Sequence, residues 1–129
     1  MKVDPDAVFF PDRLKYKLQQ LHAPKGWPIY IKNTLKEFGF LGACEVLSVG
    51  AVNKYSRYWH ECFAVISAAS GEDGYIKGCM DMIGAGYMLE LDVLRTPFHP
   101  GACTEPGRVT FHPRKDAGSW EQCYNEAVR

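Results

Sequence analysis

The sequence has no surplus of charge of either sign. Fifteen Lys and Arg residues balance fifteen Asp and Glu residues over 129 positions. A protein that binds nucleic acid mainly through phosphate contacts carries a basic patch or a positive net charge. We therefore do not expect a nucleic-acid-binding protein. Residues 13–36 are relatively rich in lysine and arginine, so a weak phosphate-facing surface there stays open as an alternative.

Long apolar runs are also absent. No stretch reaches the roughly 18 consecutive apolar residues that suggest a transmembrane helix. The segment 1–6 has none of the apolar character of a secretory signal. These two absences predict a chain that does not cross a membrane and that works in the cytoplasm.

The cysteines lack the pattern of a disulfide scaffold. Their number, five, is odd, and no two of them stand at Cys-x-x-Cys spacing. Small disulfide-rich domains are usually shorter and denser in cysteine. We therefore predict a reducing environment and five free thiols.

The apolar residues that are present make up 47% of the chain, against 23% charged, which is typical of a globular protein. Helical spacing predicts helices at about 12–23, 28–38, 54–69 and 74–84, and a last one after Ser119. The helices at 54–69 and 74–84 are separated by a short glycine-containing segment, so they are predicted to form a helical hairpin.

Alternation with a period of two predicts strands at about 87–95 and 108–112. Residues 41–53 fit either a buried strand or a buried helix, and their β-branched content favours a strand. We therefore predict an α+β fold, one domain over 1–129. Its four to five helices include the hairpin of 54–69 and 74–84, and they pack on a small antiparallel sheet of 87–95 and 108–112.

The stretch 54–69 combines a histidine, a carboxylate and a thiol, but a helical wheel separates them. Large apolar residues fill one arc, and His60, Arg57 and Glu61 fall on the other. The arc is predicted to face the core; its members are Tyr55, Tyr58, Trp59, Cys62, Phe63, Val65, Ile66 and Ala69. The alternative is an exposed aromatic patch, which would mark a partner surface.

A possible zinc site lies between residues 96 and 112. His99, Cys103 and His112 offer two imidazoles and one thiolate within 14 residues, with Glu105 or water as a fourth ligand. The alternative is that both histidines are ordinary surface residues and Cys103 is a small loop hydrophobe.

A reactive thiol is a second chemical hypothesis. Cys44 stands next to Glu45, and an imidazole such as His60 would activate it by lowering its pKa. Nothing in the sequence fixes that pairing, and the cysteines on apolar helix faces are expected to be inert.

The leading functional prediction is a small protein–protein interaction module, an inhibitor or adaptor that docks on a larger protein. Its predicted contact residues are the exposed Arg57, His60 and Glu61, with acidic Glu72 and Asp73 steering the partner. The alternative prediction is a small metal- or thiol-dependent enzyme that uses the 96–112 region. No cofactor is expected in the first case, and zinc in the second.

Overall fold

The computed structural model describes residues 1–96 and 101–129. Within these residues the chain forms four α-helices and six short strands, which confirms the predicted α+β class. In chain order the elements are β1 (Lys2–Val3), β2 (Val8–Phe9), α1 (Pro11–Leu21), β3 (Ile29–Lys32), β4 (Cys44–Glu45), α2 (Val49–Val65), α3 (Gly71–Met82), β5 (Gly86–Leu89), β6 (Thr110–Phe111) and α4 (Ala117–Val128). Single turns of 3-10 helix stand at Ala68–Ser70 and Leu91–Val93.

The strands form three separate two-stranded ladders. β1 pairs with β4 and β2 with β6, both antiparallel, whereas β3 and β5 are parallel. The predicted antiparallel pairing of 87–95 with 108–112 is therefore wrong. A single parallel bridge, between Arg95 and Phe111, joins those two segments. Alternation identifies a strand but not the strand with which it pairs. β5 pairs with β3 and β6 pairs with β2, and both of these partners lie within the first 32 residues.

The predicted helix at 28–38 is also wrong, because its first part is strand β3. Ile29, Tyr30 and Ile31 are all buried, as expected of a strand covered on both faces. Leu35, which helical spacing would place on the buried stripe, has 68% of its surface exposed. Three consecutive buried positions do not fit a one-sided helix.

Helix α2 begins at Val49, earlier than the predicted residue 54, because Ser48 caps it. The Ser48 hydroxyl oxygen accepts a hydrogen bond from the Ala51 amide at 3.1 Å, as an N-cap does. The same hydroxyl accepts from the Ile29 amide at 2.9 Å and donates to the Trp27 carbonyl at 2.7 Å. One side chain therefore starts the helix and fixes it to the beginning of β3. The ambiguous run 41–53 thus holds both a strand, β4, and the first turn of a helix.

The predicted helical hairpin is confirmed, as α2 and α3 connected through residues 66–70. A disulfide joins the two helices, between Cys62 and Cys79, with the Cα atoms 5.3 Å apart. A second disulfide joins Cys103 to Cys123 on α4. The prediction of five free thiols is therefore wrong, and Cys44 is left as the free cysteine.

The core is divided among the ladders. Tyr30, Phe40, Ala51 and Met80 connect β3 to α2 and α3. Val8, Phe111 and the Cys103–Cys123 disulfide connect the β2–β6 ladder to α4. A third cluster lies under α1 and includes Leu14, Ile31, Val93 and Val109. Among the described residues, no helix is both long and apolar enough to cross a membrane.

Candidate functional site

The outer side of α2 carries an apolar stripe that none of the described residues, 1–96 and 101–129, covers. We call it the α2 stripe; it consists of Val49, Val52, Ser56, Trp59 and Phe63. The exposed fractions are 77% for Val49, 47% for Val52, 50% for Trp59 and 73% for Phe63. The spacing of three and four residues aligns all five along one side of a helix about 25 Å long.

This exposure corrects the prediction that the aromatic arc of 54–69 faces the core. Cys62 is buried, but Tyr58, Trp59, Phe63 and Val65 are all exposed. The helix packs through a narrower face, centred on Ala51, Tyr55 and Cys62. The physical reason is that α2 packs mainly against α3 and β3, so its other sides stay exposed.

The predicted partner-binding residues divide between two surfaces. Arg57, His60 and Glu61 are exposed on α2, and the His60 ring meets Trp59 edge to face at 5.9 Å between centroids. Glu72 and Asp73 instead lie at the start of α3, where Glu72 pairs with Lys2 and Asp73 accepts a hydrogen bond from the Gly42 amide. The structure therefore keeps the first three beside the α2 stripe and does not place the acidic pair with them.

Glu72 and Asp73 line a cleft of about 430 Å³ together with Lys2, Asp4 and His112. The Lys2 ammonium donates to the Gly42 carbonyl at 2.8 Å and pairs with Asp4 at 2.7 Å and Glu72 at 2.9 Å. Burial lowers the pKa of Lys2, but the hydrogen bonds to Asp4 and Glu72 outweigh it and raise the pKa overall. All three N–H donors of Lys2 are thus engaged.

Glu45 lies opposite Lys2 in the β1–β4 ladder, so both side chains project from the same side of it. It is only 5% exposed, and its Oε1 atom has no hydrogen-bond partner. Burial, followed by the negative charge of Glu72, raises the pKa of Glu45 to about 7. Such a carboxyl group keeps its proton to a higher pH than an exposed glutamate does.

His112 is brought to the same region by the β2–β6 ladder. Its Nε2 atom lies 3.2 Å from Asp6 Oδ1 and 3.9 Å from Asp4 Oδ2. Of the predicted zinc ligands, His112 is therefore placed among carboxylates, not beside a thiolate.

The other predicted zinc ligands do not join His112. Cys103 is bonded to Cys123, so its sulfur is not available as a thiolate. Glu105 pairs with Arg95 at 3.2 Å and with Arg108 at 2.7 Å. His99 lies outside the described residues. The predicted ligand set of His99, Cys103 and His112 therefore loses its thiolate, because Cys103 is in a disulfide.

The burial of Cys44 argues against the hypothesis of a reactive thiol at this position. Cys44 is 1% exposed, and burial raises the pKa of its thiol. A buried thiol with a raised pKa is a poor nucleophile. His60, the suggested activating imidazole, is exposed on α2 and its described ring contact is with Trp59.

Sequence reasoning missed Asp4, Asp6, Lys2 and Glu45, although two signals were present. Asp4-Pro5-Asp6 is a turn sequence that places two carboxylates close together. Glu45 is a charged residue inside the otherwise apolar run from Ala43 to Leu47, where a buried carboxyl needs an explanation.

None of the protein-family models, curated proteins or solved structures compared with the chain matches it.

Proposed function

We propose that the protein is a protein–protein interaction module whose binding surface is the α2 stripe, and that the stripe pairs with the same stripe of a second copy. The observation that carries this proposal is the exposure of Trp59 and Phe63 in line with two valines on one helix. Soluble monomers rarely expose contiguous apolar surface of this kind unless it binds something.

The spacing of the α2 stripe supports a helix as the occupant. The five residues of the stripe stand at alternate intervals of three and four positions, as positions a and d do in paired helices. No charged residue interrupts the stripe, so an apolar helix face can lie along it without burying an unpaired charge.

The order of side-chain sizes supports a second copy in antiparallel orientation. The smaller residues, Val52 and Ser56, come first, and the larger ones, Trp59 and Phe63, come last. If Val52 lies against Phe63 of the second copy, Ser56 lies against its Trp59, and each large ring meets a small residue. Parallel pairing would instead oppose ring to ring, which packs less well.

The area fits a weak but specific dimer. The four apolar side chains of the stripe expose on the order of 500 Å² per copy, given that one exposed aromatic side chain offers roughly 150 to 250 Å². Two copies would bury on the order of 1,000 Å², at the low end for specific interfaces, where weak and transient complexes are found. We therefore expect an affinity of about micromolar. An adaptor role is compatible with this mode, because a two-fold dimer presents each remaining surface twice; the inhibitor or adaptor role itself stays a prediction.

The disulfides support an oxidising compartment as the place of action. Disulfides persist in secreted and periplasmic proteins and are rare in the cytosol. The cytoplasmic prediction was made together with a prediction of five free thiols, and four of the five cysteines are paired. We therefore propose an oxidising setting in place of a cytoplasmic one.

A double-mutant cycle tests the antiparallel pairing. Phe63→Val and Val52→Phe should each weaken self-association, the first by removing contact area and the second by overpacking. Combined, they exchange the large and the small residue of one contact and should restore most of the affinity. Sedimentation equilibrium of the four proteins gives the dissociation constants and the coupling between the two positions.

The double-mutant cycle distinguishes an antiparallel dimer from a parallel one. In a parallel dimer positions 52 and 63 are about 16 Å apart along the helix axis, so their effects would simply add. Additive effects would contradict the antiparallel arrangement. A wild-type chain that stays monomeric at about 1 mM, well above the expected micromolar range, would contradict the second copy as occupant.

A further inference from the structure

Two carboxylates of the N-terminal segment are held close together by a turn. The Ala7 amide donates to the Asp4 carbonyl at 3.1 Å, which closes a turn with Pro5 at its second position, where proline is favoured. The Arg114 amide donates to the Asp6 carbonyl at 2.7 Å and ties this turn to the segment after β6. The turn therefore carries Asp4 and Asp6 to the side of His112.

The outer oxygen of each carboxylate is held by a lysine. Lys2 pairs with Oδ1 of Asp4, and Lys115 pairs with Oδ2 of Asp6. The inner oxygens, Asp4 Oδ2 and Asp6 Oδ1, are the ones that face His112 Nε2. One ligand atom from each of the three residues lies within 4.8 Å of the others. The lysines thus orient the carboxylates, as supporting residues do around metal ligands.

The separations suit a small divalent ion. Zinc binds imidazole nitrogen and carboxylate oxygen at roughly 2.0 to 2.2 Å, so neighbouring ligand atoms of a tetrahedral site are about 3.4 Å apart. The observed separations from His112 Nε2, 3.2 Å and 3.9 Å, lie on either side of that value. A proton on Nε2 can make one good hydrogen bond, to Asp6, and leaves Asp4 at 3.9 Å without one.

A second observation, on Glu45, also points to a cation site. Glu45 projects from the same side of the β1–β4 ladder as Lys2, is 5% exposed and has a buried oxygen with no partner. Because all three donors of Lys2 are already engaged, the region holds more carboxylate oxygen than its lysine can pair. A divalent cation nearby would relieve this excess of negative charge.

We propose that Asp4, Asp6 and His112 bind one divalent transition-metal ion, and that zinc is the ion best suited to them. The imidazole nitrogen disfavours calcium and magnesium, which take oxygen ligands, and suits zinc. Asp6 also lines a groove of about 820 Å³ with Trp120 and Tyr124, whereas Asp4 and His112 line the 430 Å³ cleft. An ion between them is reachable from both, so its fourth position is open to water or to a ligand.

The test is a zinc titration of the full-length, disulfide-intact chain after removal of metal with a chelator. Competition with a chromogenic zinc indicator should show one equivalent bound. Asp6→Asn, which keeps the shape of the side chain, should weaken binding by at least about 10-fold, and His112→Gln by about 100-fold, judging from the effects of altering metal sites. Calcium should not compete.

Matched controls come from residues of the same type elsewhere. Asp12→Asn changes an exposed carboxylate on α1, and His22→Asn changes an exposed histidine whose left-handed conformation asparagine tolerates. Both should bind zinc as the wild type does. Circular dichroism of each variant checks that it is folded, and Asp6→Asn carries the test if His112→Gln does not fold.

X-ray absorption of the zinc-loaded protein identifies the ligands independently of affinity. The expected shell has one imidazole nitrogen with oxygen atoms and no sulfur. Binding of less than about 0.2 equivalents, equal affinity of Asp6→Asn and the wild type, or sulfur in the metal shell would each overturn the proposal.

Discussion

Cys62 of α2 and Cys79 of α3 are joined by a disulfide, so the hairpin that presents the α2 stripe is covalently closed. The bond fixes the inner face of α2 against α3 and leaves Trp59 and Phe63 on the outside. A helix held in this way loses little conformational entropy when its outer face binds a partner, which favours association.

The disulfides predict the result of a thiol titration. Denatured protein that has not been reduced should show one free thiol, from Cys44, and reduced protein should show five. Cys44→Ala should lower both counts by one and so identifies the reactive residue. Five thiols in the unreduced wild type would show that the disulfides do not form.

The raised pKa of Glu45 predicts that the folded protein becomes less stable as the pH rises. Its pKa is raised from 4.5 to about 7 by burial and by the charge of Glu72, so the folded chain binds this proton more tightly than the unfolded chain. The resulting stability is fully present below pH 4.5 and is lost as pH rises from 4.5 to 7. At pH 8 the loss amounts to at most about 3 kcal/mol.

Glu45→Gln removes this titration, because an amide is neutral at every pH. Urea unfolding in the presence of a chelator measures the free energy of unfolding of both proteins at pH 4.5 and at pH 8. The loss between these two pH values should be about 2 to 3 kcal/mol smaller for the variant than for the wild type. Glu37→Gln, at an exposed position, should follow the wild type. If the curves of wild type and Glu45→Gln stay parallel, Glu45 does not titrate in this range.

Two glycines in helices predict opposite effects of the same substitution. A methyl group on Gly50, in the first turn of α2, would lie 2.6 Å from the Gly26 carbonyl oxygen and 2.7 Å from that of Trp27. One on Gly78, in α3, would make ordinary contact with the Ile66 side chain at 3.4 Å. Only at Gly50 must the backbone move.

Gly50→Ala should therefore lower the free energy of unfolding by about 1 to 3 kcal/mol, as overpacking does. Gly78→Ala should raise it by about 0.5 to 1 kcal/mol, because alanine favours the helix. Urea unfolding measures both. A stabilised Gly50→Ala would mean that α2 does not pack closely against residues 26 and 27.

The sequence allowed the helices to be predicted better than the sheet. Periodicity located α1 and the hairpin, because each buries a stripe that repeats along the chain. It could not show that 29–32 pairs with 86–89, since a strand's partner is set by packing across more than fifty residues. It also misplaced the start of α2, because Ser48 is recognisable as a cap only once Ile29 and Trp27 lie beside it.

The candidate sites were predictable only in part. The wheel of 54–69 identified an apolar arc on one side of the helix, but exposure depends on what covers that arc, and 73% of the Phe63 surface stays exposed. His112 was singled out from the sequence as a metal ligand, and the structure places two carboxylates near its imidazole. Its neighbours Asp4 and Asp6 are more than a hundred positions away, so no spacing rule within 96–112 could have found them.

Sedimentation equilibrium of two charge substitutions tests most directly whether the α2 stripe binds a second copy. Phe63 is 73% exposed on the stripe, and Val65, on the same helix but off the stripe, is 74% exposed. The wild type and Val65→Lys should both dimerise with about micromolar affinity. Phe63→Lys should stay monomeric or self-associate at least about 10-fold more weakly, because the dimer would bury an unpaired charge. Equal weakening by both substitutions, or no effect of Phe63→Lys, would contradict the account.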